Sequence, residues 1–475
     1  MKYKVLGKTN IRVSSFGFGS YRVTSDSRDH YKALRLALRS GVNLIDTSSN
    51  YMDGKSEELT GLLLESEPGV RREDLVIVTK AGYIQGRNLD IVNRRASEGN
   101  PYKGVVTCSE SLLHCIHPEF LSDQLSLSLE RMKTAYADVF LLHNPEYYLS
   151  YTTGLDQNTL RKNFYAGIKE AFEHLETEVK KGRIKYYGVS SNTFVEKPSL
   201  RNFVSLEMLH TIAQEISADN HFAVVQMPMN LMEKNALVNY NLQKGEKSTL
   251  RFAASNNYGV LINRPLNAIS HNAVTRLADF RASERNDYKH LASAYETFRK
   301  MEDNFRNFYI HEINVTAQQK ETFLKNLNLT VIIRNSMSAL TAPNQLTELY
   351  DYGIQPRLNL ITEFAQSVAG DDASFGLKMN EYSRQLDRLI TIMHNLLAAE
   401  ANRRNSKIHS VLDNYLPSDV QGFTLSGKAL YMLSSLPQIS SVLVGMRKAS
   451  YVEDVVSVSD LEPLPNPEEF WFMEK

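Results

Sequence analysis

The sequence predicts an α/β fold, a parallel sheet with helical crossovers built from eight β/α steps and interrupted once by a large helical insertion. Two patterns carry this prediction. Short apolar runs of strand length alternate strictly with stretches of helical period along most of the chain. Three of those runs also end on an ionisable residue, as strands do when their exits open onto a pocket. A length of 475 residues fits two or three average domains, or one α/β barrel of roughly 250 residues or more carrying insertions.

The steps follow in order. Ser15-Phe16-Gly17-Phe18-Gly19 reads as the first strand, followed by a helical face of Ala33, Leu34, Ala37 and Leu38. Val42 to Ile45 leads into Asp46, and a helix from Lys55 to Leu64 precedes the run Leu75 to Thr79 that closes on Lys80. After a long loop, Leu121, Leu125, Leu129 and Met132 mark a helix from Glu119 to Met132, and Val139 to Leu142 leads into His143. The rhythm continues with a helix from Arg161 to Lys181, a strand at Ile184 to Val189 and a helix from Ser205 to Ile216. A strand at Phe222 to Gln226, a helix from Leu250 to Asn257 and a strand at Val260 to Ile262 complete seven steps. The eighth strand, Ser441 to Val444, comes much later, with a helix from Arg447 to Val456 behind it. Between them, Leu291, Tyr295, Phe298, Met301 and Phe305 form one apolar stripe, and Tyr382, Leu386, Leu389, Ile390, Met393, Leu396 and Leu397 form another. These stripes predict a helical insertion over Ser283 to Pro417, placed within one step of a single domain spanning residues 1–475, because the last strand and helix return after it.

The 54 basic and 54 acidic side chains cancel. No overall field therefore draws in nucleic acid or an anionic membrane, and a small molecule is the expected partner. No run approaches about 18 apolar residues and no signal-like segment opens the sequence, so a cytoplasmic protein is expected, with a monomer favoured. The only cysteines are Cys108 and Cys115, close to His114 and His117. Two Cys and two His can hold zinc, but the spacing matches no ligand pattern, and no metal is expected. Gly17-Phe-Gly19-Ser-Tyr-Arg22 lacks the third glycine of a dinucleotide fingerprint, and no acidic residue follows in the right context.

The chemistry is concentrated at Asp46, Tyr51, Lys80 and His143. An acid, a phenol, an amine and an imidazole at the exits of buried strands can assemble a proton relay. Taken singly, each has an ordinary structural role: a helix cap, a loop aromatic, a strand-end charge, a core histidine. Together at three strand exits they point to one site.

Six blocks extend that signal. They are Leu6-Gly-Lys-Thr, Gly41-Val-Asn-Leu-Ile-Asp-Thr-Ser-Ser-Asn-Tyr51 with Gly54-Lys-Ser-Glu-Glu, Val78-Thr-Lys80, Leu141-Leu-His-Asn-Pro-Glu146, Gly182-Arg-Ile-Lys-Tyr-Tyr-Gly-Val-Ser-Ser-Asn192 and Val444-Gly-Met-Arg447. In this order they resemble the successive motifs of the aldo-keto reductase family. The resemblance implies a (β/α)8 TIM barrel, with the insertion between strands 7 and 8, that binds NADP(H) without a Rossmann fold. It implies Tyr51 as general acid, Lys80 as the amine that lowers its pKa, Asp46 as the carboxylate paired with that lysine, and His143 as the imidazole that orients a carbonyl. Cofactor contacts are implied at Gly19, Ser20, Tyr21 and Asp46, and at Ser190, Ser191 and Gln226 for the nicotinamide carboxamide. Where relatives often place a stacking tyrosine, this chain has Asn263, Arg264, Pro265 and Leu266, with Arg264 available to the pyrophosphate. Gly445 and Arg447 match the place that meets the 2′-phosphate, and Tyr451 lies toward the adenine. Loops after barrel strands frame substrates, which nominates Tyr83, Asn144 and Tyr147.

The expected activity is NADP(H)-dependent reduction of an aldehyde, ketone or sugar carbonyl to the alcohol. Two alternatives remain: an NADP(H)-binding regulatory or sensor protein, suggested by the insertion, and a sugar or polyol dehydrogenase working in the oxidative direction.

Overall fold

The computed structural model describes residues 1–270, 273–282, 288–368 and 373–472. Eight parallel strands close into a barrel: β1 (Phe16–Gly19), β2 (Leu44–Asp46), β3 (Val76–Ala81), β4 (Ala137–His143), β5 (Ile184–Ser190), β6 (Phe222–Pro228), β7 (Gly259–Asn263) and β8 (Ser441–Val444). Neighbours in sequence are neighbours in the sheet, and β8 closes the ring by pairing with β7 on one side and β1 on the other. Each strand is followed by a helix: α1 (Arg28–Arg39), α2 (Lys55–Ser66), α3 (Pro118–Arg131), α4 (Gln157–Lys180), α5 (Leu206–Ile216), α6 (Thr249–Ser255), α7 (Leu425–Ser435) and α8 (Ala449–Ser457). This is the (β/α)8 TIM barrel the sequence predicts.

Side chains local in sequence set the helix starts. Ser27, Asp156, Ser205, Ser248 and Thr424 each accept a hydrogen bond from a backbone N–H in the first turn that follows, satisfying a donor the helix cannot. Pro118 opens α3, where its missing N–H costs nothing. The barrel is filled by Leu44, Val76, Val78, Val139, Leu141, Val224, Leu261 and Leu443. A hairpin of Tyr3–Val5 and Arg12–Ser14, which the apolar periodicity did not reveal, brings Leu6 and Val13 into the same core. Leu6 packs where a Cβ on Gly259 would stand, so the hairpin lies at the strand entries, opposite the chemistry.

Two compact units make up the chain: residues 1–274 with 416–475, which hold the barrel, and residues 275–415. The second unit is helical and has its own core, in which Phe298, Phe305, Phe323, Phe375, Tyr382, Leu386 and Leu389 are buried. Both apolar stripes seen in the sequence contribute to it, the longer one within a helix that spans Ala373–Leu412. The expected start of the insertion at Ser283 lies outside the described residues. Among the described residues no helix is long and apolar enough to cross a membrane.

Candidate active site

Register brings the predicted side chains together. Ser190 pairs with His143 on one side and with Gln226 on the other, so three consecutive strand exits present polar groups at one level. Across the barrel Asp46 pairs with Gly19 and Val78, two residues short of Lys80.

Lys80 is fully buried, and its Nζ donates to Asp46 Oδ2 and to Thr47 O, each at 2.8 Å, and to the Tyr51 hydroxyl at 3.4 Å. Gln226 Nε2 donates to the other Asp46 oxygen at 2.8 Å, and Ser190 Oγ donates to Gln226 Oε1 at 3.1 Å. A polar chain therefore runs from Ser190 through Gln226, Asp46 and Lys80 to Tyr51. His143 Nδ1 lies 3.0 Å from Ser48 Oγ, and its ring stands edge-on to Tyr51 with centroids 5.7 Å apart.

Burial dominates the protonation of this group. It raises the Asp46 carboxyl against the pull of Lys80, and lowers the Lys80 amine against the pull of Asp46. It also pushes the Tyr51 hydroxyl well above its ordinary value, with Asp46 and Tyr21 adding to the rise. Lys80, expected to lower the phenol, lies within 3.4 Å of it, but burial sets the direction here. The ammonium is already engaged by Asp46 and the Thr47 carbonyl, and enclosure of the hydroxyl outweighs the charge that remains. Burial, with Lys80 and His114 adding, holds the His143 imidazole well below its ordinary value and therefore neutral.

An aromatic wall continues from His143. Tyr83 stands edge-on to His143 at 4.7 Å and to Tyr147 at 5.0 Å, and the Tyr83 hydroxyl accepts from Asn144 Nδ2 at 2.7 Å. The three residues expected to face substrate are thus contiguous. His114, first noted beside the cysteines, belongs to the same wall: its Nε2 donates to His143 O at 2.8 Å and its ring stacks on Tyr147. His117 instead accepts from Glu119 N at the start of α3. Among the described residues no cluster of His, Cys, Asp and Glu has the makings of a metal site. The long loop between β3 and α3 is itself structured, with a three-stranded sheet of Tyr83–Ile84, Val106–Ser109 and Leu112–His114 and a helix over Arg87–Ser97.

The cofactor candidates divide. Tyr21 is 63% exposed and stands edge-on to Tyr51 at 5.2 Å, offering a ring face beside the buried phenol. Ser20, Ser190 and Ser191 are buried at the strand exits, and Pro265 and Leu266 are buried after β7. Asn263 Oδ1 and Arg264 Nε are buried without a hydrogen-bond partner. Arg264 Nη2, however, donates to Glu233 Oε1 at 3.0 Å, so that guanidinium is already engaged by a carboxylate the sequence did not single out. A Cβ on Gly445 would meet open space, while Gly19 lies against the Val444 carbonyl. Arg447 and Tyr451 flank the start of α8; Arg447 precedes the helix, whose N-cap is Lys448, instead of beginning it. Orphaned polar atoms, an exposed ring and the open glycine fit a dinucleotide better than a sealed core.

Sequence reasoning also missed Glu146. It is buried three residues after His143, its Oε1 accepts from Asn192 N at 2.9 Å, and its Oε2 has no partner. Burial pushes its carboxyl up to about 7. The Asn-Pro-Glu turn after a strand-end histidine was the one available signal.

A model of the aldo/keto reductase family matches residues 15–309. The chain is 28% identical over 211 residues to the oxidoreductase YqkF of Bacillus subtilis, covering 44% of this chain and 56% of that protein. It is 28% identical over 151 residues to the NADH-specific methylglyoxal reductase of Escherichia coli, covering 30% and 42%. The chain thus spans about half the length of these curated relatives. Among solved structures, the glycerol dehydrogenase of Gluconobacter oxydans aligns over 98% of this chain and 92% of its own, at 15% identity and a TM-score of 0.47.

Proposed function

Given that the chain belongs to the aldo/keto reductase family, we propose that it is an NADP(H)-dependent oxidoreductase that reduces an aldehyde, ketone or sugar carbonyl to the alcohol. The observation that carries this reading is the meeting of Tyr51, Lys80, Asp46 and His143 at the strand exits. The dihydronicotinamide supplies hydride when bound. A carbonyl oxygen placed between His143 and Tyr51 gains its proton from the Tyr51 hydroxyl, which its raised pKa keeps protonated. Lys80, fixed by Asp46, moderates the phenolate charge that develops. Tyr83, Asn144 and Tyr147 shape the substrate side, while Tyr21, Ser190, Ser191 and Gln226 hold the nicotinamide end and the segment Asn263 to Leu266 lines the cofactor beyond it. In the oxidative direction the same phenol acts as base.

Arg447 supports NADP(H), since a guanidinium meets a 2′-phosphate with charge-assisted bonds that a ribose hydroxyl cannot return. Because one relative is by name NADH-specific, both reduced cofactors belong in the test. The purified protein, given NADPH or NADH with methylglyoxal, 4-nitrobenzaldehyde and a free aldose, should oxidise the cofactor, as followed by nicotinamide absorbance. Tyr51→Phe should lose a factor of roughly 10² to 10⁴ in turnover and still bind cofactor. A variant keeping more than about a tenth of the activity lies far above that range and removes Tyr51 from the role of acid.

A further inference from the structure

The turn that carries Tyr51 is strained. Met52 (φ 49°), Asp53 (φ 59°) and Gly54 (φ 88°) are three consecutive residues in the left-handed region, and only the last is a glycine. Side chains with a Cβ resist this conformation, so the turn persists only where its surroundings hold it. The hold comes from a different segment. Asp53 Oδ1 accepts from Arg87 N at 2.9 Å and Asp53 Oδ2 accepts from Arg87 Nε at 3.1 Å. Arg87 Nη2 returns to Asp53 O at 2.7 Å and reaches Glu58 Oε1 at 3.4 Å. Asp53 thereby satisfies the first N–H of the helix Arg87–Ser97, and Arg87 grips both the side chain and the backbone of the turn. Gly86 makes this fit possible: its φ is 53°, and a Cβ there would stand 2.4 Å from Asp53 Oδ1. On the other side of the turn, a Cβ on Gly54 would meet Arg131 at 2.9 Å, and Arg131 is itself anchored by the buried Glu57.

We propose that the Asp53–Arg87 clasp is a positioning device that sets the Tyr51 hydroxyl, tying it to the excursion that also carries Tyr83. That excursion touches both groups flanking the carbonyl: Tyr83 stands edge-on to His143, and four residues later Arg87 holds the turn after Tyr51. A shift of the excursion therefore moves acid and orienting imidazole relative to each other. As an exposed ion pair the clasp contributes little to stability. Its consequence is geometric, and misplacement of a reacting group by about 1 Å can cost on the order of 10²-fold in rate. The inference rests on Tyr51 being the proton donor, so that assignment is measured beside it.

Asp53→Ala, Tyr51→Phe and the double variant are assayed with the most active carbonyl of the panel and the better-bound reduced cofactor, together with cofactor titration by fluorescence. Asp53→Ala is expected to lower kcat by roughly 10- to 10²-fold, with KM and cofactor Kd within about threefold, and to add nothing further to Tyr51→Phe. Arg87→Ala, which keeps the backbone N–H and truncates an exposed side chain, should lose less, and Arg87→Lys should restore part of that loss. If Asp53→Ala fails to fold, the Arg87 pair decides the question by the same criteria. Turnover within twofold of wild type in the clasp variants, or an equal loss whether Tyr51 is intact or already replaced, overturns the positioning role while leaving the acid assignment intact. Full turnover in Tyr51→Phe alone overturns both.

Discussion

Glu146 offers a titration that can be read without substrate. Folded, its carboxyl keeps the proton up to about pH 7, whereas unfolded it gives the proton up near its ordinary 4.5. Between those values the native chain binds more protons than the unfolded one, so stability falls as pH rises through the window. The loss should reach at most about 3 kcal/mol above pH 8. Glu146→Gln should flatten the pH dependence of the unfolding free energy between pH 5 and pH 8, about the two ends of that window; parallel curves for variant and wild type would contradict it. Arg447→Ala should weaken NADPH relative to NADH by about 1.5 to 3 kcal/mol, the span for lost hydrogen bonds to charged groups. Equal weakening of the two cofactors, read by fluorescence titration, would place the 2′-phosphate elsewhere. These two residues mark what the sequence revealed and what it hid. Asp46, Lys80 and His143 each break an apolar run at its end, and Arg447 follows a strand and a glycine, so their positions could be read directly. Glu146 opens the short helix Glu146–Tyr151, and Ser48 and Glu233 lie in irregular segments; none belongs to a periodic run, so only three-dimensional register shows what they face.

Among the elements, β5 makes the most demanding contact. A Cβ on Gly188 would stand 1.8 Å from the Val224 carbonyl oxygen on β6 and 2.8 Å from Leu141 on β4. Backbone cannot yield as a side-chain tip can, and the pairing of β5 with β6 already shifts register between Tyr187 and Gly188. Gly188→Ala should therefore destabilise by more than about 3 kcal/mol, at the severe end for overpacking. A fall of less than about 1 kcal/mol in chemical denaturation would mean that the strands separate more easily than their packing indicates. Strand and helix order was legible because buried parallel strands are continuous apolar runs while the helices alternate. The amino-terminal hairpin and the small sheet between β3 and α3 were not, since strands such as Tyr3–Val5 and Val106–Ser109 mix exposed and buried positions and form no continuous apolar run.

On the scale of the whole molecule, residues 275–415 enclose an aromatic core of their own. Within it the Glu302 carboxylate accepts from Thr330 Oγ1 at 2.6 Å and from the Tyr382 hydroxyl at 3.0 Å, so this buried acid finds its partners inside the segment. Expressed alone, this segment should give a helical far-UV spectrum and melt cooperatively. A broad, non-cooperative melt would show that its core depends on the rest of the chain. The two apolar stripes announced this unit's helical character; its π-helical turns at Phe305–Tyr309 and Tyr350–Ile354 carry no sequence pattern that sets them apart.

The pairing of β8 with both β7 and β1 has a consequence for synthesis on the ribosome. Seven strands and the whole of residues 275–415 are made before Ser441–Val444 exist. Until then the nascent sheet carries two unpaired edges, β1 and β7, of the kind that recruit other chains. The helical segment can complete its own core during that wait, while the barrel is the last part to close. Yield of folded protein should thus depend on how quickly the final strand is delivered, so slowing translation just ahead of codon 441 should raise aggregation, whereas slowing it after the last strand has emerged should not.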